Sequence, residues 1–128
     1  MKTLLAFALA VVFLAGCTGQ PGEIEIAESN NGQTIDATRN QTININLDSN
    51  ATTGYKWNLV TEPDAKIVKL VSSKYNAPLT NLPGAGGSET WQFQATGAGT
   101  TTLKLVYFRQ FEANLPRGKE FAITIVVK

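Results

Sequence analysis

From Glu23 to Lys128, apolar side chains recur at every second position, and no stretch shows a convincing run at helical spacing. A period of two marks a half-buried strand, whose successive side chains point to opposite faces. A chain built this way has to close sheets upon one another. Ile24 and Ile26 alternate with Glu23 and Glu25, and Ile43, Ile45 and Leu47 with Asn44 and Asn46. Tyr55, Trp57 and Leu59 form a further set, as do Trp91, Phe93 and Ala95. Residues 67–75 read as a strand whose inward face the pattern leaves undecided. Residues 101–108 present Leu103, Leu105 and Tyr107, and 120–127 present Phe121, Ile123, Ile125 and Val127. The expectation is an all-β fold, an immunoglobulin-like antiparallel β-sandwich of about seven to eight strands, in one domain over residues 23–128. The Cys–Trp–Cys spacing of antibody domains is absent, so the expectation concerns architecture only.

Residues 1–16 read as a targeting segment. Lys2 supplies a positive start, Leu4 to Leu14 is almost wholly apolar and too short for a permanent span, and small residues follow. Leu14-Ala15-Gly16-Cys17 resembles a bacterial lipobox, and Cys17 is the sole cysteine. The alternative is an ordinary signal peptide with a leftover thiol, but a lone exposed thiol is a liability in an exported chain. The expectation is an exported lipoprotein, anchored to a membrane through Cys17 at the cell surface or in the periplasm. Residues 17–22 would form the lipidated cysteine and a short polar tether.

The chain has no histidine, which removes Ser–His and Cys–His pairs, the commonest zinc ligand and the usual general base. An enzyme is disfavoured, and no metal or cofactor is expected. Without residues 1–16 the chain keeps 10 basic residues (11 less Lys2) and 10 acidic ones, so it carries no basic surplus for nucleic acid. A monomer is expected.

Strand alternation places three connections at one end: 48–53, 76–87 and 110–118. The first reads Asn50-Ala51-Thr52-Thr53-Gly54-Tyr55. Gly54 is suited to a positive φ, Asn50 to bracing the backbone two residues on, and the Thr pair forms a small uncharged apex. A plain turn explains these residues equally well. The second carries Gly84-Ala85-Gly86-Gly87, which suits either flexibility or close approach of bare backbone to a partner. It lacks the Lys-Ser/Thr and following helix of a phosphate loop. In the third, Arg109-Gln110-Phe111 pairs a cation with an aromatic, as interfaces often do. A solvated arginine and a phenylalanine plugging the core is the other reading.

Taken together and in this order, the three loops resemble the chagasin-like inhibitors of papain-like cysteine peptidases. That family carries Asn-Pro-Thr-Thr-Gly, Gly-x-Gly-Gly and Arg-Pro-Trp/Phe in the corresponding loops. The matches are Asn50, Thr52, Thr53 and Gly54; Gly84, Gly86 and Gly87; and Arg109 and Phe111. Tyr55, Trp57, Glu89 and Trp91 also fit, and the resemblance spans the whole domain. It implies reversible, tight, competitive inhibition without cofactor, metal or covalent bond. The first loop would enter the cleft over the catalytic thiolate–imidazolium pair, and the other two would straddle it. Ala51 and Gln110 replace the family's prolines, and Phe111 takes the usual tryptophan position. These departures predict a shifted affinity rather than lost inhibition. Two competing readings remain at this level: a surface adhesion or glycan-binding sandwich, and a hydrolase using Asp48, Glu89 and Glu112.

Overall fold

The computed structural model describes residues 22–112, except the Glu112 side chain, and 118–128. The expected signal, the tether up to Pro21 and Cys17 itself lie outside the described residues. Eight strands form: β1 (Ile24–Ala27), β2 (Thr34–Ala37), β3 (Thr42–Ser49), β4 (Lys56–Thr61), β5 (Val68–Asn76), β6 (Gly87–Ala95), β7 (Gly99–Phe108) and β8 (Glu120–Val127). They build two four-stranded sheets, ordered β1-β3-β6-β5 and β2-β8-β7-β4. The sandwich is the one the alternation calls for, and the inward residues of both sheets form its core. Ile43, Ile45, Leu47, Trp91 and Phe93 meet Trp57, Leu103, Leu105, Phe121, Ile123 and Ile125 across the interior. Burying each of these contributes ~1.5–3 kcal/mol, so the core needs no disulfide.

Two features differ from the seven main strands read in the sequence. The chain after β1 turns through a short 3-10 segment (Glu28–Asn30), crosses to the other sheet and returns as β2. β2 is four residues long and offers Ile35 as its single large apolar side chain, too little to register as a period. The second difference is pairing: β1 lies parallel to β3 and β2 parallel to β8, whereas the four other pairs are antiparallel. Splitting the first strand lets one short segment cover the outer edge of β3 in one sheet and of β8 in the other.

β5 resolves the undecided parity of 67–75. Only Val68 of this strand is buried; Leu70 and Val71 are exposed, and the register with β6 shifts between Leu70 and Ser72. An edge strand that leaves the core past a bulge has no consistent inward face to display.

Successive strands alternate in direction, so the β3–β4, β5–β6 and β7–β8 connections share one end. Register makes their bases level: Ser49 lies opposite Gly87, Asn76 opposite Ser88, and Lys56 opposite Phe108.

Candidate functional site

The β3–β4 loop is folded by its own polar side chains. Asn50 caps a 3-10 turn over Ala51–Thr53: its Oδ1 accepts from the Thr52 N–H at 3.1 Å and from the Thr52 hydroxyl at 2.6 Å. Thr53 Oγ1 donates to the Asn50 carbonyl at 2.7 Å and accepts from the Tyr55 N–H at 3.3 Å. Gly54 closes the turn at φ 78°, a left-handed conformation that a Cβ would oppose. Both threonine hydroxyls are therefore engaged in holding the turn, while Ala51, Thr52, Thr53 and Gly54 remain exposed at its apex.

The same residues tie the three loops into one surface. Asn50 Nδ2 donates to the Gly84 carbonyl at 3.1 Å, joining the first loop to the second. Arg109 Nε donates to the Thr53 carbonyl at 2.9 Å, joining the third to the first. The Arg109 guanidinium also stands over the Tyr55 ring, 4.7 Å from its centroid. Such a stack adds ~0.5–1 kcal/mol at an exposed site. Beneath it, Tyr107 packs at 5.3 Å from Tyr55 and 5.2 Å from Trp57, and its hydroxyl accepts from the Asn50 N–H at 2.9 Å. Tyr107 is legible in the sequence as an inward residue, but its hydroxyl's role as the post under Asn50 is not. The β7–β8 connection opens with a 3-10 turn, Gln110–Glu112. There Gln110 Nε2 donates to Asn58 Oδ1 at 2.8 Å, and Phe111 is 78% exposed. The reading of Phe111 as a core plug is thus corrected: the ring stands out beside Gly54, where an added Cβ would lie 3.7 Å from it.

The glycines of the second loop answer different demands. Gly84 sits at φ 77°, so the turn itself requires it. A Cβ on Gly87 would overlap the Asn76 carbonyl oxygen and lie 2.8 Å from the Tyr75 hydroxyl, so close strand approach requires it. Gly86 has neither constraint; a Cβ there would meet only the Ser49 carbonyl at 3.8 Å, an ordinary contact. Ala85 lies between them, its N–H donating to the Leu82 carbonyl at 3.2 Å.

Asp48 and Glu89 do not form a catalytic pair. Glu89 is 4% exposed, and its Oε2 accepts from Ser49 Oγ at 2.6 Å and from the Trp57 N–H at 3.1 Å. It is a buried strut joining β6 to β3 and β4. Asp48 is exposed, with a side chain on the opposite face from Glu89, and its carbonyl accepts from Trp57 Nε1 at 2.9 Å. The Glu112 side chain lies outside the described residues. Among the described residues, no three acidic or cysteine side chains gather as a metal site. Of the aromatics leading out of the first loop, Trp57 is buried and Tyr55 is covered by Arg109, so neither offers an open face for a glycan.

A family model described as "Chagasin family peptidase inhibitor I42" matches residues 36–125, which hold the five strands β3 to β7 complete, most of β8 and all three loops. Chagasin of Trypanosoma cruzi is 28% identical over 102 residues, covering 77% of this chain and 93% of that protein. The crystal structure of the cysteine protease inhibitor EhICP2 from Entamoeba histolytica shares the fold. It superposes with a TM-score of 0.76 at 24% identity, covering 85% of this chain and 98% of the other. A further likeness of fold is to PbICP-C, solved in complex with falcipain-2. Its TM-score is 0.60 at 17% identity, and the match covers 85% of this chain and 92% of that one.

Proposed function

The chain belongs to the chagasin family of peptidase inhibitors, and we propose that it inhibits papain-like cysteine peptidases reversibly and competitively through its three-loop end. Members of this family are inhibitors rather than enzymes, and the buried, singly placed Glu89 fits that role. The observation that carries the proposal is the pair of ties from Asn50 to Gly84 and from Arg109 to Thr53, which turn three loops into one pre-ordered surface. Pre-ordering lowers the conformational cost of binding, so more of the contact energy appears as affinity.

In this reading the Ala51–Gly54 apex enters the substrate cleft. It brings methyls and backbone to the catalytic thiolate–imidazolium pair and introduces no charge beside it. The hydroxyls of Thr52 and Thr53 are already satisfied within the turn, so neither is stranded when the apex enters the cleft. Bare backbone at Gly86 lies along one wall of the cleft, and Phe111 covers an apolar patch on the other side. Inhibition needs no covalent step, since the apex carries no nucleophile or electrophile aimed at the thiol.

Binding to papain whose cleft is filled by a covalent peptidyl inhibitor checks the mode. Affinity should fall by at least about a hundredfold relative to free papain, because a filled cleft excludes the apex. Equal affinity for free and filled papain would mean that the loops bind elsewhere.

The lipoprotein reading of Cys17 forms a second part of the proposal and is supported by the apolar run, the small residues before the cysteine and its being the sole thiol. Metabolic labelling with a palmitate analogue should mark the wild-type chain and leave Cys17→Ser unmarked. Equal labelling of both would remove the anchor.

A further inference from the structure

The chain enters the sandwich at the end opposite the three loops. β1 runs parallel to β3, with Ile24 opposite Ile43 and Ala27 opposite Asn46. β3 then climbs six residues from Ile43 to Ser49, where the first loop begins. At about 3.3 Å per residue, Ile24 lies roughly 20 Å below the base of that loop. β8 descends to the same far end, where Val127 lies opposite Gly99.

Six residues, Thr18 to Glu23, separate Cys17 from β1 at Ile24. Fully extended, the seven steps from Cys17 to Ile24 reach at most about 25 Å. A pose with the loops pressed on a bilayer would hold Ile24 roughly 20 Å above the surface, with the height of the loops added. Such a pose leaves the tether no slack, since it would have to run fully extended alongside the whole sandwich.

We infer that the anchored protein is held by its far end with the three loops directed into the aqueous phase, so that it captures soluble peptidases arriving from the medium rather than enzymes embedded in the same membrane face. This rests on the inhibitor and Cys17 readings above, and two readouts keep them separable.

The first uses the mature chain from Cys17, which holds every strand of the core, coupled through Cys17 to maleimide-lipid vesicles. Soluble papain should be inhibited within about twofold of the uncoupled chain, because the tether leaves the binding end free. A loss of more than about tenfold on coupling would overturn the orientation. If the uncoupled chain itself leaves papain active, the inhibitor reading fails and the second readout alone judges orientation. For it, Cys17→Ser chains are held by an N-terminal histidine tag on nickel-chelating vesicles containing acceptor lipid. One chain carries a donor dye at Ala85→Cys in the second loop, the other at Arg39→Cys at the far end. Energy transfer from position 85 should be at least about threefold weaker than from position 39, given their separation along the strands. Equal or reversed transfer would overturn the inference.

Discussion

Three glycines within four positions, Gly84, Gly86 and Gly87, show how similar residues can serve unlike ends. Gly84 serves a turn and Gly87 a close strand crossing, which leaves Gly86 as the one the fold itself does not demand. Gly86→Ala should therefore leave the melting temperature within about 2 °C of wild type, as surface changes without a structural role do. It should weaken papain inhibition by at least about tenfold, if bare backbone lies against the enzyme there. Gly87→Ala should destabilise the fold, by about 2 kcal/mol or more in denaturant titration, since the Asn76 carbonyl or the strand must move. Stability lost at 86 and kept at 87 would reverse these assignments. Thr53 poses a subtler case, because its hydroxyl both donates to Asn50 and accepts from Tyr55. Thr53→Arg should weaken inhibition by at least about a hundredfold by placing bulk and charge at the apex. Its thermal cost should stay within that of exposed hydrogen bonds, about 1 kcal/mol. A parallel fall in both would make the residue structural.

Among elements, the β3–β4 loop is ordered without the proline that the family resemblance leads one to expect at position 51. The Asn50 cap, the Gly84 tie and the Tyr107 post supply the order that a fixed φ would otherwise give. The Ala51 N–H donates in none of the described hydrogen bonds, and Ala51 opens the 3-10 turn, a position that tolerates proline. Ala51→Pro should thus tighten inhibition about two- to fivefold, the equivalent of ~0.4–1 kcal/mol, measured as the inhibition constant. Weaker inhibition would show that the present turn is not the bound one. Glu89 works between elements: Glu89→Ala strands the Ser49 hydroxyl and the Trp57 N–H. A loss of about 2–3 kcal/mol in unfolding free energy is expected.

The elements also show what a sequence can and cannot display. The β3, β6, β7 and β8 strands were legible because each has one face in the core, which imposes a period of two. β2 was not, since four residues with a single large apolar side chain cannot set a period. β5 gave no parity because an edge strand past a bulge has no inward face. The shared end of the three loops followed from alternating direction alone, and the turn chemistry of Asn50 and Gly54 from residue type. The ties from Arg109 to Thr53 and from Asn50 to Gly84 join positions 56 and 34 residues apart. No local pattern encodes such contacts. The role of Glu89 as a buried strut was not legible for the same reason, its partners being 40 and 32 residues away.

At the scale of the whole molecule, a disulfide-free sandwich holds its loops at one end and its points of entry and exit at the other. The arrangement separates what binds from what tethers, and it leaves the core free of functional demands. The central claim is that the loop end blocks the cleft of papain-like peptidases. Titrating papain with the purified mature chain, while following hydrolysis of a fluorogenic peptide at several substrate concentrations, tests this most directly. Full, reversible loss of rate is expected at submicromolar inhibitor, with an apparent inhibition constant that rises linearly with substrate concentration. Undiminished hydrolysis at about 10 μM chain, where even a weak complex of ~−8 kcal/mol would be largely formed, would contradict it.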